Sequence, residues 1–402
     1  MVQLKAKIFA GKGEVDITIV DLFCGCGGMS LGFQEAGFNI LAGFEHWNAA
    51  ISCYKNNFSH PVEDVDLSDV ELSVKIISKY NPDIIIGGPP CQDFSGAGNR
   101  IEGDRANLTV AFAKIISEIL PQYFVMENVE RAYNSEAYKK ARKIFKVAGY
   151  GLTEKVLDAS FCGVPQKRKR FFCIGHKNGQ DSFLDGLLST NQSIFPLTVR
   201  EYFEQEKYEL PIEYYYRHPR SYKRRGIFSV DEPSPTIRGV NRPKPGNYKK
   251  HMGDLCDPKE IRNLSALERS LIQTFPWNFI WDDSSASTEQ MIGNAVPVKL
   301  ANYVATCLMR FINGDIDLYN LRFIDWLKDE KKLSSKVAGD TLSRIGRSKR
   351  ILDFGTYDCE CYLKKLRQED SFQNIVPSVQ AQIRRAIRLY FEYISEHTEV
   401  AL

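Results

Sequence analysis

The sequence predicts an α/β fold in which a doubly wound, mostly parallel sheet carries a smaller second domain and a C-terminal helical extension. Three observations lead there. Short apolar, β-branched runs recur between Ile17 and Met126 and are separated by helical patterns, the alternation of a parallel sheet. After His176 this gives way to short runs broken by Pro and Gly, such as Ser229–Gly239 (SVDEPSPTIRG), a composition shift that marks a domain boundary. Beyond residue 316 only helical patterns remain. With 402 residues and 43% hydrophobic composition the chain can bury a sizeable core. The boundaries that follow are 1–175, completed by 285–315, for the sheet; 176–284 for the second domain and hinge; and 316–402 for the extension.

Taken in order, Ile17–Phe23 reads as a strand running into CGCGG, followed by a helix over Met29–Ala36. Gly25, Gly27 and Gly28 let a ligand approach the backbone, and the helix start presents free N–H groups. The next strand, Ile40–Phe44, ends in Glu45, where a carboxylate can take both hydroxyls of a ribose. A loop at Glu63–Asp66 places Asp64 to accept from an adenine amino group. Taken singly, each carboxylate is better read as a helix cap or a solvated turn; as a set of three at strand ends they are less so.

The run Asp83–Ile86 predicts a buried strand that delivers Cys91 onto a Gly/Pro turn in GGPPCQDFS, Gly87–Ser95. Cys91 reads there either as an exposed nucleophile or as a packed thiol. Gly96–Gly103 is long and glycine-rich enough for a lid. A helix over Asn107–Leu120 and a strand over Tyr123–Met126 follow, and the strand brings Glu127 to the same sheet edge. Desolvation there should raise its pKa, which suits an acid that hydrogen-bonds a ring nitrogen. Leu152–Ala159 and Arg170–Ile174 predict two further strands. Period-two alternation sends Gln166, Arg168 and Arg170 to one face, either for an anionic or carbonyl-bearing partner or as a charged hairpin edge. Between Pro211 and Lys250 ten Lys/Arg face three Asp/Glu, interleaved with Tyr214, Tyr215, Tyr216, Tyr222, Phe228 and Tyr248. That composition fits a nucleic-acid groove, or a solvated basic loop. Gln290–Ala301 starts a helix reaching about Phe311.

Other classes are disfavoured. No apolar run approaches the roughly 20 residues that span a bilayer, and no signal-peptide pattern opens the chain, so a cytoplasmic protein is expected. Ten scattered cysteines, with only Cys24/Cys26 and Cys359/Cys361 close together, predict reduced thiols and no structural metal.

Together these segments resemble the cytosine carbon-5 DNA methyltransferases of the bacterial modification-enzyme type. DLFCGCGG (Asp21–Gly28) is similar to the family's S-adenosylmethionine turn, GGPPCQDFS to its nucleophile loop and Glu127-Asn128-Val129 to its base-holding acid. QKRKR (Gln166–Arg170) resembles its Gln-x-Arg-x-Arg element, Arg262–Pro276 the element closing the recognition domain, and GNAVP (Gly293–Pro297) the last one. The resemblance covers Ile17 to about Phe311. Trp47 departs from the family's usual Asp or Asn, and Glu63-Asp64-Val65 replaces Gly-Asp-Ile.

The resemblance implies S-adenosyl-L-methionine as cofactor, held by Asp21, Phe23, Cys26, Gly27, Gly28, Glu45, His46, Asp64, Val65, Pro90, Asn294, Ala295 and Val296. It implies double-stranded DNA as partner, contacted by Gln92, Ser95, Arg100, Thr236, Ile237 and Arg238, with residues 176–262 reading the sequence. A monomer is implied, alongside a cognate restriction endonuclease as a functional companion. Cys91 would add to cytosine carbon 6, Glu127 would protonate ring nitrogen 3, Arg168 would stabilise the base carbonyl and Arg170 would hold the nucleophile loop.

Three rivals weigh less. RNA methyltransferases with the same core carry a Cys-Phe-Thr tripeptide that is absent here. An inactive homologue would have lost Cys91 or Glu127, and a dinucleotide oxidoreductase leaves Pro-Cys-Gln unexplained. In the extension, Leu321–Lys331, Ser335–Arg350 and Ser378–His397 predict three helices, the last capped by Ser378. Fifteen Lys/Arg against thirteen Asp/Glu name no partner for it. It is read as a helical appendage on the catalytic domain, with a faint likeness to the DNA-clamping domains of recombinases.

Overall fold

The structure is a computed structural model that describes residues 16–90, 107–193, 195–219, 221, 223–258, 261–281, 285–314, 318–352 and 358–397. Cys91, Gln92, Ser95, Arg100 and the expected lid lie outside the described residues. Strands β1 (Thr18–Leu22), β2 (Asn39–Glu45), β3 (Val62–Asp64), β4 (Ile84–Gly87), β5 (Tyr123–Val129) and β6 (Tyr150–Asp158) join a long β8 (Lys169–Lys177) in one sheet. The two-residue β7 (Gln166–Lys167) pairs elsewhere. The order is β3-β2-β1-β4-β5-β8-β6, with the first five parallel and β8 antiparallel between β5 and β6. This is the predicted α/β class.

Both faces of the sheet are covered, and β4 shows why its sequence is apolar without alternation. Ile84 and Ile86 pack in one cluster and Ile85 in the other, all three with no solvent exposure. Burying each is worth about 1.5–3 kcal/mol. Helices α1 (Gly28–Glu35), α2 (Asn48–Asn57), α3 (Val70–Ile77), α4 (Asn107–Ile119) and α5 (Glu136–Val147) connect the strands. The sequence reading passes over α5, whose Ser135 hydroxyl accepts from the Tyr138 N–H as an N-cap.

The region after β8 is less irregular than predicted. It holds α6 (Asp185–Thr190) and α7 (Val199–Gln205), the latter with a Thr198/Glu201 capping box. Then come β9 (Tyr214–Tyr216) antiparallel to β10 (Ile227–Ser229), and β11 (Ser234–Pro235) parallel to β7. Helix α8 (Ala266–Ile272) follows. The single helix expected over Gln290–Phe311 is two, α9 (Ser285–Asn294) and α10 (Val298–Ile312). Pro297 has no N–H and disfavours helix in the residue before it, so the chain breaks there. By length and composition alone Ala286–Ile312 could cross a membrane, but it is broken into α9 and α10 and half of its most apolar 18 residues are buried within the protein. Its α10 packs on α1, where a Cβ added to Gly32 would lie 2.5 Å from the Val298 carbonyl oxygen.

The extension contains α11 (Leu318–Asp329), α12 (Ser335–Ile351), α13 (Cys359–Leu366), α14 (Asp370–Gln373) and α15 (Pro377–His397) around its own cluster of Phe323, Leu342, Ile345, Ile383, Ile387 and Tyr390. Pro377, not the expected cap Ser378, stands at the helix boundary as the first helical residue. Its missing N–H costs nothing there. The extension rests on α6, with Leu342 and Ile324 closing over Gly186.

Candidate active site

β1 and β4 end on one line, with Leu22 paired to Gly87 and Gly87 to Met126, and β5 runs on three residues past it. The turns leaving those ends open into one crevice, where strand order reverses between β1 and β4.

Glu127 is the first residue past that line and is 7% exposed. Its Oε1 lies 2.8 Å from Arg170 Nε. A Cβ on Gly88 would stand 3.3 Å from Oε2, so the chain leading to Cys91 passes close beside the acid. Burial raises the Glu127 carboxyl above its usual range, and the charges of Arg170 and Arg168 pull it back only in part. Asn128, which sequence reasoning gave no role, donates from Nδ2 to the Pro89 carbonyl at 3.3 Å and accepts from the Val129 N–H at 2.8 Å. It ties the acid's strand end to the Pro-Pro turn. Pro90, half-buried, is the last described residue before Cys91.

The predicted alternation turns Gln166, Arg168 and Arg170 inward, with Lys167 and Lys169 exposed. The two arginines then part. Arg170 faces Glu127, whereas Arg168, 1% exposed, donates to the carbonyls of Ile237 at 2.9 Å, Gly293 at 2.9 Å and Ala295 at 3.0 Å. Gln166 accepts from the Ile237 N–H at 2.9 Å and donates to Gln273 Oε1 at 2.7 Å. Helix α9 ends at Asn294 and leaves its last carbonyls without helical partners, and the Arg168 guanidinium satisfies two carbonyls at that end. Expected at a base carbonyl, Arg168 is instead spent on main chain.

At the glycine turn Phe23 adopts φ 57°, a conformation costly for a non-glycine residue and typical of functional turns. Gly27, at φ 93°, has no room for a Cβ beside the Phe58 ring, and a Cβ on Gly28 would lie 2.4 Å from the Val296 carbonyl. The turn and the GNAVP segment therefore touch. Cys26 is buried among Cys53, Phe275 and Met291, and burial pushes its thiol pKa well up, so only its backbone faces the crevice chemistry. Asp21 is buried, accepts from Ser30 Oγ at 2.6 Å, and has an Oδ1 without a hydrogen-bond partner. Ser30 Oγ in turn meets Tyr54 OH at 2.7 Å, and that hydroxyl meets His60 Nε2 at 2.8 Å.

Glu45 accepts from the N–H groups of Gly25 at 2.9 Å, His46 at 2.8 Å and Trp47 at 3.0 Å. Those bonds take three of its roughly four acceptor positions, leaving about one. His46 and Asp64 are exposed and paired at 2.8 Å, which raises the His46 pKa. Val65 is buried, with its N–H on the Glu45 carbonyl at 3.1 Å. Asn294 is exposed, Ala295 half-buried and Val296 buried.

In the second region Thr236 and Arg238 are half-exposed, with Thr236 Oγ1 donating to the Lys167 carbonyl at 2.8 Å. Ile237, expected among the DNA contacts, is 4% exposed in the apolar core there, and both its backbone groups are taken by Gln166 and Arg168. A crevice that the sequence reading did not single out is lined by Tyr216, Arg217, His218, Arg238, Arg242 and Arg269.

The profile of the family described as C-5 cytosine-specific DNA methylase matches residues 17–310. The chain is 54% identical over 298 residues to the Type II methyltransferase M.HindV of Haemophilus influenzae, covering 73% of this chain and 96% of that one. It is 52% identical over 295 residues to the Type II methyltransferase M.HgiDI of Herpetosiphon aurantiacus, covering 73% and 94%. In fold it is similar to the S. pombe Dnmt2 methyltransferase, with a TM-score of 0.55 at 17% identity over 74% of this chain and all of that one.

Proposed function

The chain belongs to the C-5 cytosine-specific DNA methylase family, and we propose that it methylates carbon 5 of a flipped-out cytosine in a specific duplex site through a covalent Cys91 adduct. It is a DNA cytosine methyltransferase of the restriction-modification type. The observation that carries the mechanism is Glu127, buried and paired with Arg170 beside the chain that leads to Cys91.

Carbon 5 of cytosine is a poor nucleophile. The Cys91 thiolate adds to carbon 6 and pushes an electron pair toward carbon 5, while Glu127 gives its proton to nitrogen 3. Burial raises its pKa, which favours the protonated form that makes this transfer. Arg170, not Arg168, is the arginine beside the base edge, and Asn128 holds the acid's strand end against the Pro-Pro turn. After methyl transfer the carbon 5 proton is removed, the thiolate leaves and the nitrogen 3 proton returns to Glu127. S-adenosyl-L-methionine, when bound, supplies an electrophilic methyl group. The turn Phe23–Gly28, Glu45, Asp64 and Asn294–Val296 fit that cofactor: an added Cβ at Gly25 would meet nothing within 4 Å, so the turn leaves open space there, and Glu45 keeps about one acceptor position for a ribose hydroxyl.

Residues 176–262 read the DNA, with Thr236, Arg238 and the arginine-lined crevice as the reading surface and the basic composition supplying phosphate contacts. A cognate endonuclease is its functional companion. The test is incubation with duplex DNA and S-adenosylmethionine, then nucleoside mass spectrometry and mapping of the modified position. Appearance of 5-methylcytosine at one recurrent sequence supports the reading. Methylation confined to RNA would replace it.

A further inference from the structure

The family match ends at residue 310, and the extension beyond it has an uneven charge distribution. From Thr341 to Leu352 and from Ser371 to Phe391 there is no Asp or Glu, while Arg344, Arg347, Lys349, Arg350, Arg384, Arg385 and Arg388 fall in those two stretches. The nearest acids flank these stretches: Asp340 precedes the first, and Glu392 and Glu396 follow the second, in contact with Lys331 and Trp326.

Helices α12 and α15 run side by side in the same direction, because Arg344 meets Gln382 at 2.7 Å and Lys349 meets Tyr390 at 3.1 Å. Their acid-free halves therefore coincide. Arg385 and Arg388 are exposed, Arg344 and Arg347 half-exposed, and Arg388 stands 3.7 Å from Glu360. Arg347 also lies over the Phe195 ring, with burial and its neighbour Arg350 lowering its pKa. Cations gathered this way repel one another, and a phosphate backbone would relieve that repulsion.

Their position matters as much as their number. Phe195 belongs to a loop hung on the segment just past the carboxyl end of β6, through Ser193 N–H to the Phe161 carbonyl and Leu197 N–H to the Ser160 carbonyl, both 2.8 Å. Strand β6 runs parallel to β5, since each is antiparallel to β8, so that segment lies on the side of the sheet to which Glu127 is delivered. The basic half of α12 thus neighbours the edge from which duplex DNA is approached.

We propose that the basic stretches of α12 and α15, Thr341–Ile351 and Pro377–Phe391, bind the phosphate backbone of duplex DNA flanking the methylated site, without reading its sequence. The inference rests on DNA being the substrate. Regularly spaced guanidiniums on a rigid helix pair displace condensed counterions, and the contribution grows as salt falls.

The test uses the full-length protein, a short duplex holding only the mapped site, and one extended by about two helical turns on each side. The extended duplex should bind more tightly than the short one, and R385Q/R388Q, both exposed, should remove much of that gain. If two phosphate contacts are lost, the disadvantage of the variant on the long duplex should shrink about 10-fold between roughly 50 and 200 mM salt. Methylation of the short duplex should be unchanged, which reports on the proposed function separately. A length and salt dependence identical to the unsubstituted protein would overturn the proposal. So would a lowered melting temperature as the sole effect, since that assigns the arginines to the fold.

Discussion

Asp21→Asn tests the electrostatics beneath the cofactor turn. Asp21 is buried, its one side-chain donor is Ser30, and Glu45 is a like charge nearby, so burial pushes its carboxyl pKa from 3.8 up to about 7. A rise of roughly 3 units corresponds to ~4 kcal/mol. Because the folded pKa is raised, the folded state holds one more proton than the unfolded chain between pH ~4 and ~7. Stability is therefore complete below the unfolded pKa and falls by about 1.4 kcal/mol per pH unit until the folded group ionises. Asparagine has no proton to lose. The assay is urea unfolding of both proteins at a series of pH values, taking the difference between them. From pH ~4 to ~7.5 the variant should gain ~4 kcal/mol relative to the original. A difference that stays constant with pH would refute the claim that Asp21 is protonated in the folded state.

Glu127→Gln should lower single-turnover methyl transfer by ~10² or more and abolish the fall in rate expected of the original as pH rises through the raised Glu127 pKa; an unchanged rate would leave the residue a structural part. Arg168→Met removes a buried guanidinium that satisfies three carbonyls, so a loss of roughly 3–5 kcal/mol in stability is expected, checked by denaturation, whereas a base-facing arginine would leave stability nearly intact. Exchanging residues 176–262 with those of a relative should exchange the methylated sequence, read by mapping 5-methylcytosine. Truncation after residue 315 should leave the methylated sequence unchanged while weakening binding to long duplexes; a switched site would contradict this. A duplex mismatched at the target cytosine should bind up to ~10²-fold more tightly than the matched one, because part of the base-opening cost is already met; equal affinities would count against extrusion.

Much of the catalytic core was legible because its signals are local. The apolar runs at Ile19–Leu22 and Ile84–Ile86 are short and lie between turns, so strand and turn could be read together, and Glu127 follows its own strand directly. Arg168 was not legible, since its partners lie far along the chain at Ile237, Gly293 and Ala295, and alternation gives a side chain's face but not what it meets there. Ile237 was misplaced for the same reason: a residue beside a recognition signature can be the one that anchors it. The break at Pro297 could have been seen from the proline alone. Helices α6 and α7 are short, α6 has no side-chain cap, and the capping residues of α7, Thr198 and Glu201, sit in a stretch whose Pro and Gly content suggested irregular chain.

Covalent trapping of Cys91 tests the central claim most directly. A duplex carrying 5-fluorocytosine at the mapped target, incubated with the protein and S-adenosylmethionine, can receive the thiolate at carbon 6 and the methyl group at carbon 5. Fluorine cannot then leave as the proton does, so elimination stops. A covalent mechanism predicts a stable protein–DNA adduct whose crosslinked peptide contains Cys91 and which is absent in Cys91→Ser. Methylation of ordinary cytosine without any such adduct, or an adduct on a different cysteine, would contradict it.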